Sequence, residues 1–476
     1  MRIKRYIKAI KDNKKTILII LFFLLLFYGS FIRLYGLEKN PLWFDESISA
    51  LTAKNIYEKG VPVLNSEQVY GRAYVFHYMM SAFLFFGQTD FNVRLISVIF
   101  GIATCVLIFF IGKEYNDETA WMAFIFSLFL EIFIVYSQQA RMYQAAMFFF
   151  FLALFFLYKG LDNKKYFFYA ILIFLLAYDT NPLALALLPF FVYVIFRNKM
   201  NKYYYIGLLI AIIYFLPSIW HNCLNFNFFY LKNYMGHLKY YLPFLFVSIV
   251  GIIMGFKKRI TFFLGISSVF LLLGFGSYIL FAFRYIYVVF LPLIIFASFA
   301  ISRIKFKWAV FFIYLLSISN IFLPISYVAV IKPEISILHQ DFTAPRIDFK
   351  SFYDEFKEIY ANETLIVSIT PATEWYFKKP DFWTYFSFTG LHREPNSTYS
   401  IYDQKDVYTG ADVIYNMTDF DAIKGEKIVV LDYWGGPKID RGIVDFINDN
   451  CILILEKKEV VAYRCLDEVI ANYTII

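Results

Sequence analysis

Thr16-Ile-Leu-Ile-Ile-Leu-Phe-Phe-Leu-Leu-Leu-Phe-Tyr-Gly-Ser-Phe-Ile-Arg-Leu-Tyr35 carries no charge until Arg33. At 1.5 Å per residue, a helix of about 20 apolar residues spans the hydrocarbon core of a bilayer, so this run reads as a transmembrane helix. It is preceded by Met1-Arg-Ile-Lys-Arg-Tyr-Ile-Lys8 and by Lys11, Lys14 and Lys15. No small-residue cleavage site follows, so the basic stretch reads as a cytoplasmic anchor and not as a removed signal peptide. Outward from this run the apolar character continues. The chain is 60% hydrophobic, where a soluble domain is about 45–50% apolar. The formal charge of +8 comes from short basic clusters between apolar runs, which sets orientation and excludes nucleic acid as the partner.

Further apolar segments lie at roughly 93–112, 119–136, 144–158, 166–179, 182–196, 203–219, 241–256, 260–281, 285–302 and 308–330. The segment 74–87 is too short to cross and reads as an interfacial or re-entrant helix. On that assumption the loops holding Lys113, Lys159/Lys164/Lys165, Arg197/Lys199/Lys202, Lys257/Lys258/Arg259 and Arg303/Lys305/Lys307 all face the cytoplasm, as positively charged loops do. The expected fold is therefore a polytopic α-helical membrane protein of about eleven spans. Its membrane part covers 1–331, with a long outer loop at 36–92, and an extracytoplasmic α/β domain covers 332–476. The N-terminus is cytoplasmic and the C-terminal domain extracellular, in the cell membrane.

The tail supports this orientation. Of its six Asn, Asn362, Asn396, Asn416 and Asn472 stand in Asn-X-Ser/Thr, whereas none of the fifteen before it does. Such sites accept glycans only on the outer face, although polar tails also contain Ser and Thr by composition. Within the tail, 365–369, 427–431, 452–455 and 460–463 read as strands, and 349–360 and 439–448 as amphipathic helices. Cys451 and Cys465 bracket a hairpin turning near Lys457–Lys458, and face each other if the turn is symmetric. Either a disulfide or two buried thiols fits.

The chemistry concentrates in the long outer loop. It opens Asn40-Pro-Leu-Trp-Phe-Asp-Glu46, and residues 47–59 carry apolar side chains at helical spacing. Asp45 and Glu46 thus start a surface helix, where they serve either as capping carboxylates or as acid–base groups. A second polar stretch, Tyr136-Ser-Gln-Gln-Ala-Arg-Met-Tyr-Gln144, ends the third span on the same face. Arg141 there could hold a phosphate through paired hydrogen bonds, or simply snorkel. Arg72, Arg94 and Arg284 reach the same boundary, and outward arginines beside an acidic loop fit an anionic ligand. Glu131 lies inside the third span, and intramembrane carboxylates are functional candidates. Tyr143, His77 and His237 complete the candidates; Asp179, before Asn181-Pro182, reads equally as a functional carboxylate or a turn cap, and His221 and His237 read as metal ligands or, more readily, as solvated loop side chains. Gly-rich phosphate loops, Ser-His-Asp sets and zinc spacings are absent, which argues against a cytoplasmic sugar nucleotide as donor.

These residues, in this order, resemble the polyprenyl-phosphate-sugar-dependent glycosyltransferases of the GT-C fold, such as the protein O-mannosyltransferases and the lipid A aminoarabinose transferase. The carriers are Asp45-Glu46 after span one, Phe85-Phe86-Gly87 leading to Asn92-Val93-Arg94-Leu95, and Tyr136–Tyr143; the likeness covers roughly 16–200. Two positions depart from the pattern. Gly71-Arg72-Ala73 stands where relatives carry Pro-Pro or Lys-Pro, and Gln139 stands where they usually carry Glu. The resemblance implies an inverting transfer from a polyprenyl- or dolichyl-phosphate sugar to a glycan, protein or lipid acceptor. It further implies Asp45 as base, Glu46 on a sugar hydroxyl or a metal, and Arg141, then Arg94, Arg284 and Arg72, on the phosphate. A divalent metal ion is left open as cofactor. The competing readings are a lipid-sugar transporter or flippase, for which no repeated half is found, an oligosaccharyltransferase, whose tail motif Asp432-Tyr-Trp-Gly-Gly436 approaches only in the wrong order, and a plain membrane anchor.

Overall fold

The computed structural model describes residues 14–224, 227, 228, 232, 242–275, 286–318, 347–385, 401–433 and 439–466. Its contacts divide the chain into two compact units, Met1–Leu37 with Arg94–Thr343, and Glu38–Val93 with Ala344–Ile476. The outer loop therefore folds with the tail, and the division does not follow the single boundary near 331 that hydropathy suggests.

In chain order the helices are α1 (Lys14–Leu34), α2 (Phe44–Lys59), α3 (Tyr74–Phe83), α4 (Asp90–Lys113), α5 (Asp117–Phe129), α6 (Glu131–Ser137), α7 (Tyr143–Gly160), α8 (Lys165–Thr180), α9 (Leu188–Arg197), α10 (Lys202–Leu224), α11 (Leu242–Gly255), α12 (Arg259–Phe275), α13 (Phe290–Ser302) and α14 (Lys307–Ile318). All but α2 and α3 lie wholly or mostly in the first unit. Among the described residues, Lys15–Leu34, Asp90–Lys113 and Tyr143–Gly160 are long and apolar enough to cross a membrane, and the remaining apolar helices are shorter. Helix α13 is the centre of the first unit: every residue from Phe290 to Ser302 is buried. Close approach is bought by small residues, as between helices in an apolar medium. A Cβ on Gly251 would strike the Phe296 carbonyl, and Ser248 Oγ donates to Leu293 O at 2.9 Å.

Three expectations are corrected. The stretch 119–136 is not one helix. Leu130 takes φ −68°, ψ 126° between α5 and α6, and the carbonyls freed at Ser127 and Leu128 accept from Arg33 instead (2.8 and 2.9 Å). The segment 182–196 begins as a 3-10 turn, Pro182–Leu187, because Asn181 caps it by accepting from Leu183 N at 2.9 Å. His221 lies in α10 and not in a loop. The short segment 74–87 is helical: α3 runs into a 3-10 turn at Leu84–Phe86.

The tail of the second unit runs α15 (Phe349–Ile359), β1 (Thr364–Val367), α16 (Thr370–Tyr376), β2 (Phe382–Thr384), β3 (Ile401–Tyr402), β4 (Lys405–Asp406), β5 (Asp412–Ile414), α17 (Met417–Ala422), β6 (Lys427–Asp432), α18 (Arg441–Asn450), β7 (Cys451–Lys457) and β8 (Val460–Cys465). The sheet order is β3-β4-β5-β2-β1-β6-β8-β7. The four central strands β5, β2, β1 and β6 are parallel, and the outer pairings are antiparallel. A parallel centre is buried on both faces, and β6 is buried along its whole length. Phe349, Phe352, Tyr353 and Phe356 recur at helical spacing and bury one stripe of α15 on one sheet face. Phe420, Ile443 and Ile447 of α17 and α18 cover the other. Helix α18 starts two residues after 439 because Asp440 caps it, accepting from Gly442 N and Ile443 N.

Cys451 and Cys465 stand opposite each other in the β7–β8 register and are joined as a disulfide. Asn362 and Asn416 are exposed; Asn396 and Asn472 lie outside the described residues.

Candidate functional site

In the second unit, α2 begins one residue before the acidic pair. Trp43 is extended (φ −82°, ψ 172°) and precedes the first turn. Trp43 N donates to Glu46 Oε2 at 3.4 Å, and Ser47 N donates to Trp43 O at 2.9 Å. Glu46 is 2% exposed, whereas Asp45 is half-buried. The two neighbouring carboxylates are thus unequally buried, and Glu46 bonds within the turn. Phe44 packs against the core under the sheet and holds the pair to it. Its ring meets Tyr408 edge-on at 5.8 Å. Burial pushes the Tyr408 phenol well above its ordinary range; Tyr70, Asp45 and Asp406 add to this and Arg72 opposes it. Asp45, Arg72, Tyr70 and Tyr408 therefore share one neighbourhood.

His77 is buried at the start of α3. Its Nδ1 faces Ala73 O at 2.8 Å and Arg72 O at 3.1 Å, so that nitrogen carries the hydrogen. Its ring abuts Tyr70. The loop is held further by groups that sequence reading does not single out. Asp90 accepts from Trp375 Nε1 at 2.9 Å and from the Tyr376 hydroxyl at 2.7 Å. Glu374 Oε1 accepts from Asn65 Nδ2, and Glu374 Oε2 is buried without a partner. Burial is the main reason its carboxyl is pushed up to about 7. Asp406 is also raised by burial, against hydrogen bonds from Thr409 and Thr370.

In the first unit, Arg94 is buried and donates to Leu37 O at 2.6 Å. Arg141 is buried with its guanidinium 5.7 Å from the Tyr143 ring centroid, and its carbonyl accepts from Ser97 Oγ at 3.3 Å. Tyr143 is buried against Tyr136. Glu131 opens α6 at the break and is half-buried. The polar stretch does a structural job as well. Gln138 Nε2 points at the carbonyls of Arg33 (3.0 Å), Ile32 and Tyr35 (both 3.3 Å), closing the C-terminal end of α1. Arg33 is fully buried; a charge on the last turn of a long apolar run is its only sequence signal. Arg284 and His237 lie outside the described residues. Among the described residues no three His, Cys, Asp or Glu side chains gather as a metal site.

A family model described as dolichyl-phosphate-mannose-protein mannosyltransferase matches residues 72–221. That stretch holds Arg72, His77, Arg94, Glu131, Arg141 and Tyr143, and begins after Asp45 and Glu46. Among curated proteins, no sequence matches the chain. Among solved structures, the chain is similar to ArnT from Cupriavidus metallidurans bound to undecaprenyl phosphate, with TM-score 0.66 and 12% identity over 96% of this chain and 100% of that one. It is also similar to the apo state of the same protein, with TM-score 0.62 and 13% identity over 97% and 100%. The helical first unit and the sheet-bearing second unit are thus matched over nearly their whole length, and the chain shares the fold of that ArnT.

Proposed function

We propose that this chain transfers a sugar from a polyprenyl- or dolichyl-phosphate donor to a hydroxyl of a glycan, protein or lipid acceptor on the outer face of the cell membrane. The observation that carries the reading is the unequally buried pair at the start of α2, half-buried Asp45 beside buried Glu46. Asp45 takes the proton of the acceptor hydroxyl as its oxygen attacks the anomeric carbon. The carbon–oxygen bond to phosphate breaks on the opposite side, so the configuration inverts and the lipid phosphate leaves. Positive charge offsets the developing phosphate. Arg141 is the first choice, with Arg94, Arg284 and Arg72 behind it, and Glu46 holds the turn that carries Asp45. A lipid-phosphate donor is supported by the description of the matched family and by the undecaprenyl phosphate named for the similar ArnT structure.

The test offers purified wild type and Asp45→Asn a set of radiolabelled polyprenyl-phosphate sugars, dolichyl-phosphate mannose first, with membrane extract as acceptor source. Transfer by wild type and a loss of about 10²–10⁴-fold in Asp45→Asn is expected. Equal transfer by both proteins removes Asp45 as the base.

A further inference from the structure

The seven-residue helix α16, Thr370-Pro-Ala-Thr-Glu-Trp-Tyr376, lies in the tail, yet its last three side chains all bond to the outer loop. Glu374 takes Asn65. Trp375 Nε1 and the Tyr376 hydroxyl take one oxygen each of Asp90, which is 3% exposed. The same Tyr376 oxygen accepts from Leu42 N at 2.6 Å. Leu42 is wholly buried and stands three residues before Asp45; Asp90 is the first residue of α4. One hydroxyl therefore ties the entry of the loop to its exit, giving a buried amide the partner it needs and donating to a buried carboxylate in turn.

We infer that Tyr376, seconded by Trp375, is a positioning residue that fixes the segment carrying Asp45. This rests on the reading of Asp45 as the base. Reaction rates are sensitive to the placement of a base at the scale of about 1 Å, which can be worth about 10²-fold. Within the turn at Leu42–Glu46, Phe44 packs on the core and meets Tyr408, and the Glu46–Trp43 bond is internal to the turn. Removing the hydroxyl releases both Leu42 N and one oxygen of Asp90 while leaving the ring in place.

The experiment compares full-length wild type, Tyr376→Phe, Asp45→Asn and the double variant, with radiolabelled dolichyl-phosphate mannose and the other donors of the set above. Amide hydrogen exchange of the peptide covering 38–48 is followed on the same preparations. The expected result is a kcat lowered about tenfold to a hundredfold in Tyr376→Phe with the donor KM within about twofold of wild type. Exchange at 38–48 becomes faster, and Tyr376→Phe has no further effect once Asp45 is Asn. Unchanged exchange and unchanged kcat overturn the inference. Equal losses from Tyr376→Phe in both Asp45 backgrounds overturn it too, because Tyr376 would then act elsewhere. Full activity of Asp45→Asn alone overturns the base reading, and is told apart from failure of the positioning contact by the exchange of 38–48. Should Tyr376→Phe fail to fold, Trp375→Phe, which removes one donor to Asp90 and leaves Leu42 N bonded, is read in the same way and is expected to give a smaller loss of kcat.

Discussion

The break at Leu130 and the helix starts of the tail solve the same problem in opposite ways. A helix end leaves backbone groups without partners. In the apolar first unit, the carbonyls at Ser127 and Leu128 are taken by Arg33, 95 residues away for the latter, and the end of α1 is closed in return by Gln138. In the tail, Asp348, Asn416 and Asp440 each cap the helix that follows them within three residues. Where water is excluded, an unmet carbonyl costs several kcal/mol and a cation or amide is drawn from wherever the fold can supply it. Where water is near, a local side chain is enough. Arg33 is the extreme of the first kind: its described partners are Gly29 O, Leu128 O, Ser127 O, Ser137 Oγ and Cys105 Sγ, all neutral.

The contrast predicts the largest effect at Arg33. Arg33→Met leaves the Leu128 carbonyl without its Arg33 donor and the Ser127 carbonyl with only the weak Cys105 Sγ donor at 3.4 Å, and should cost about 3–5 kcal/mol. It is seen as a large fall in melting temperature of the purified protein in detergent, or as failure to accumulate. Arg33→Lys keeps the charge but has its donors on one nitrogen, and should recover only part. Wild-type melting of Arg33→Met would mean that the break at Leu130 does not depend on a remote cap.

A buried carboxyl in the second unit comes next. Glu374 is ordinarily protonated below 4.5 and is pushed up to about 7, mainly by burial, with Asn65, Lys54 and Lys379 pulling it back and Asp406 pushing further. At low pH the group is protonated in the folded and unfolded chain alike and costs nothing. As pH rises from 4.5 to about 7 the unfolded chain loses its proton first, so the folded state binds more protons and stability falls; above that the whole cost is present. Glu374→Gln keeps an oxygen for Asn65 and should remove that slope, stabilising the protein on the order of 2 kcal/mol at about pH 8 and leaving it unchanged at low pH. Parallel pH–stability curves for the two proteins would show that burial of Glu374 sets no such cost.

Gln138→Leu follows. It removes the amide that faces the end of α1, and at the same time removes Gln138 Oε1, which is buried without a partner. The two changes oppose each other, so a net loss of about 1–2 kcal/mol in detergent melting is expected. A loss as large as that of Arg33→Met would make Gln138 an equal partner in the break.

What was legible in the sequence follows the same division by distance. The helix carrying Asp45, the amphipathic α15, the central strand β6 and the β7–β8 hairpin are all set by spacings of a few residues, and each lies close to its expected range. The short strands β2 to β5 and the helix α16 carry too few residues for a period to show. The break at Leu130 has no local mark: Phe126-Ser-Leu-Phe-Leu-Glu-Ile132 contains neither Gly nor Pro, and the group that makes it tolerable is Arg33. At the candidate site, Asp45, Glu46 and Arg141 stood out by residue type. The Asp90 contacts did not, because Trp375 and Tyr376 lie 285 and 286 residues away.

Asn416 gives the smallest effect and separates capping from modification. Its Oδ1 accepts from Asp419 N at 3.1 Å and starts α17, while a glycan would be carried on the amide nitrogen of the same side chain. The two roles therefore use different atoms and can coexist. Asn416→Asp keeps an oxygen for the cap and cannot be glycosylated; Asn416→Ala loses both. In protein made without glycans, Asn416→Asp should melt with wild type and Asn416→Ala should lose about 1 kcal/mol. Protein made in a glycosylating host should show one fewer glycan in either variant, detected by mass, if the tail faces outward. Equal stability of the two variants would mean that α17 is held by Phe420 in the core under the sheet and not by its cap, which would extend reliance on distant partners to a helix start in the tail.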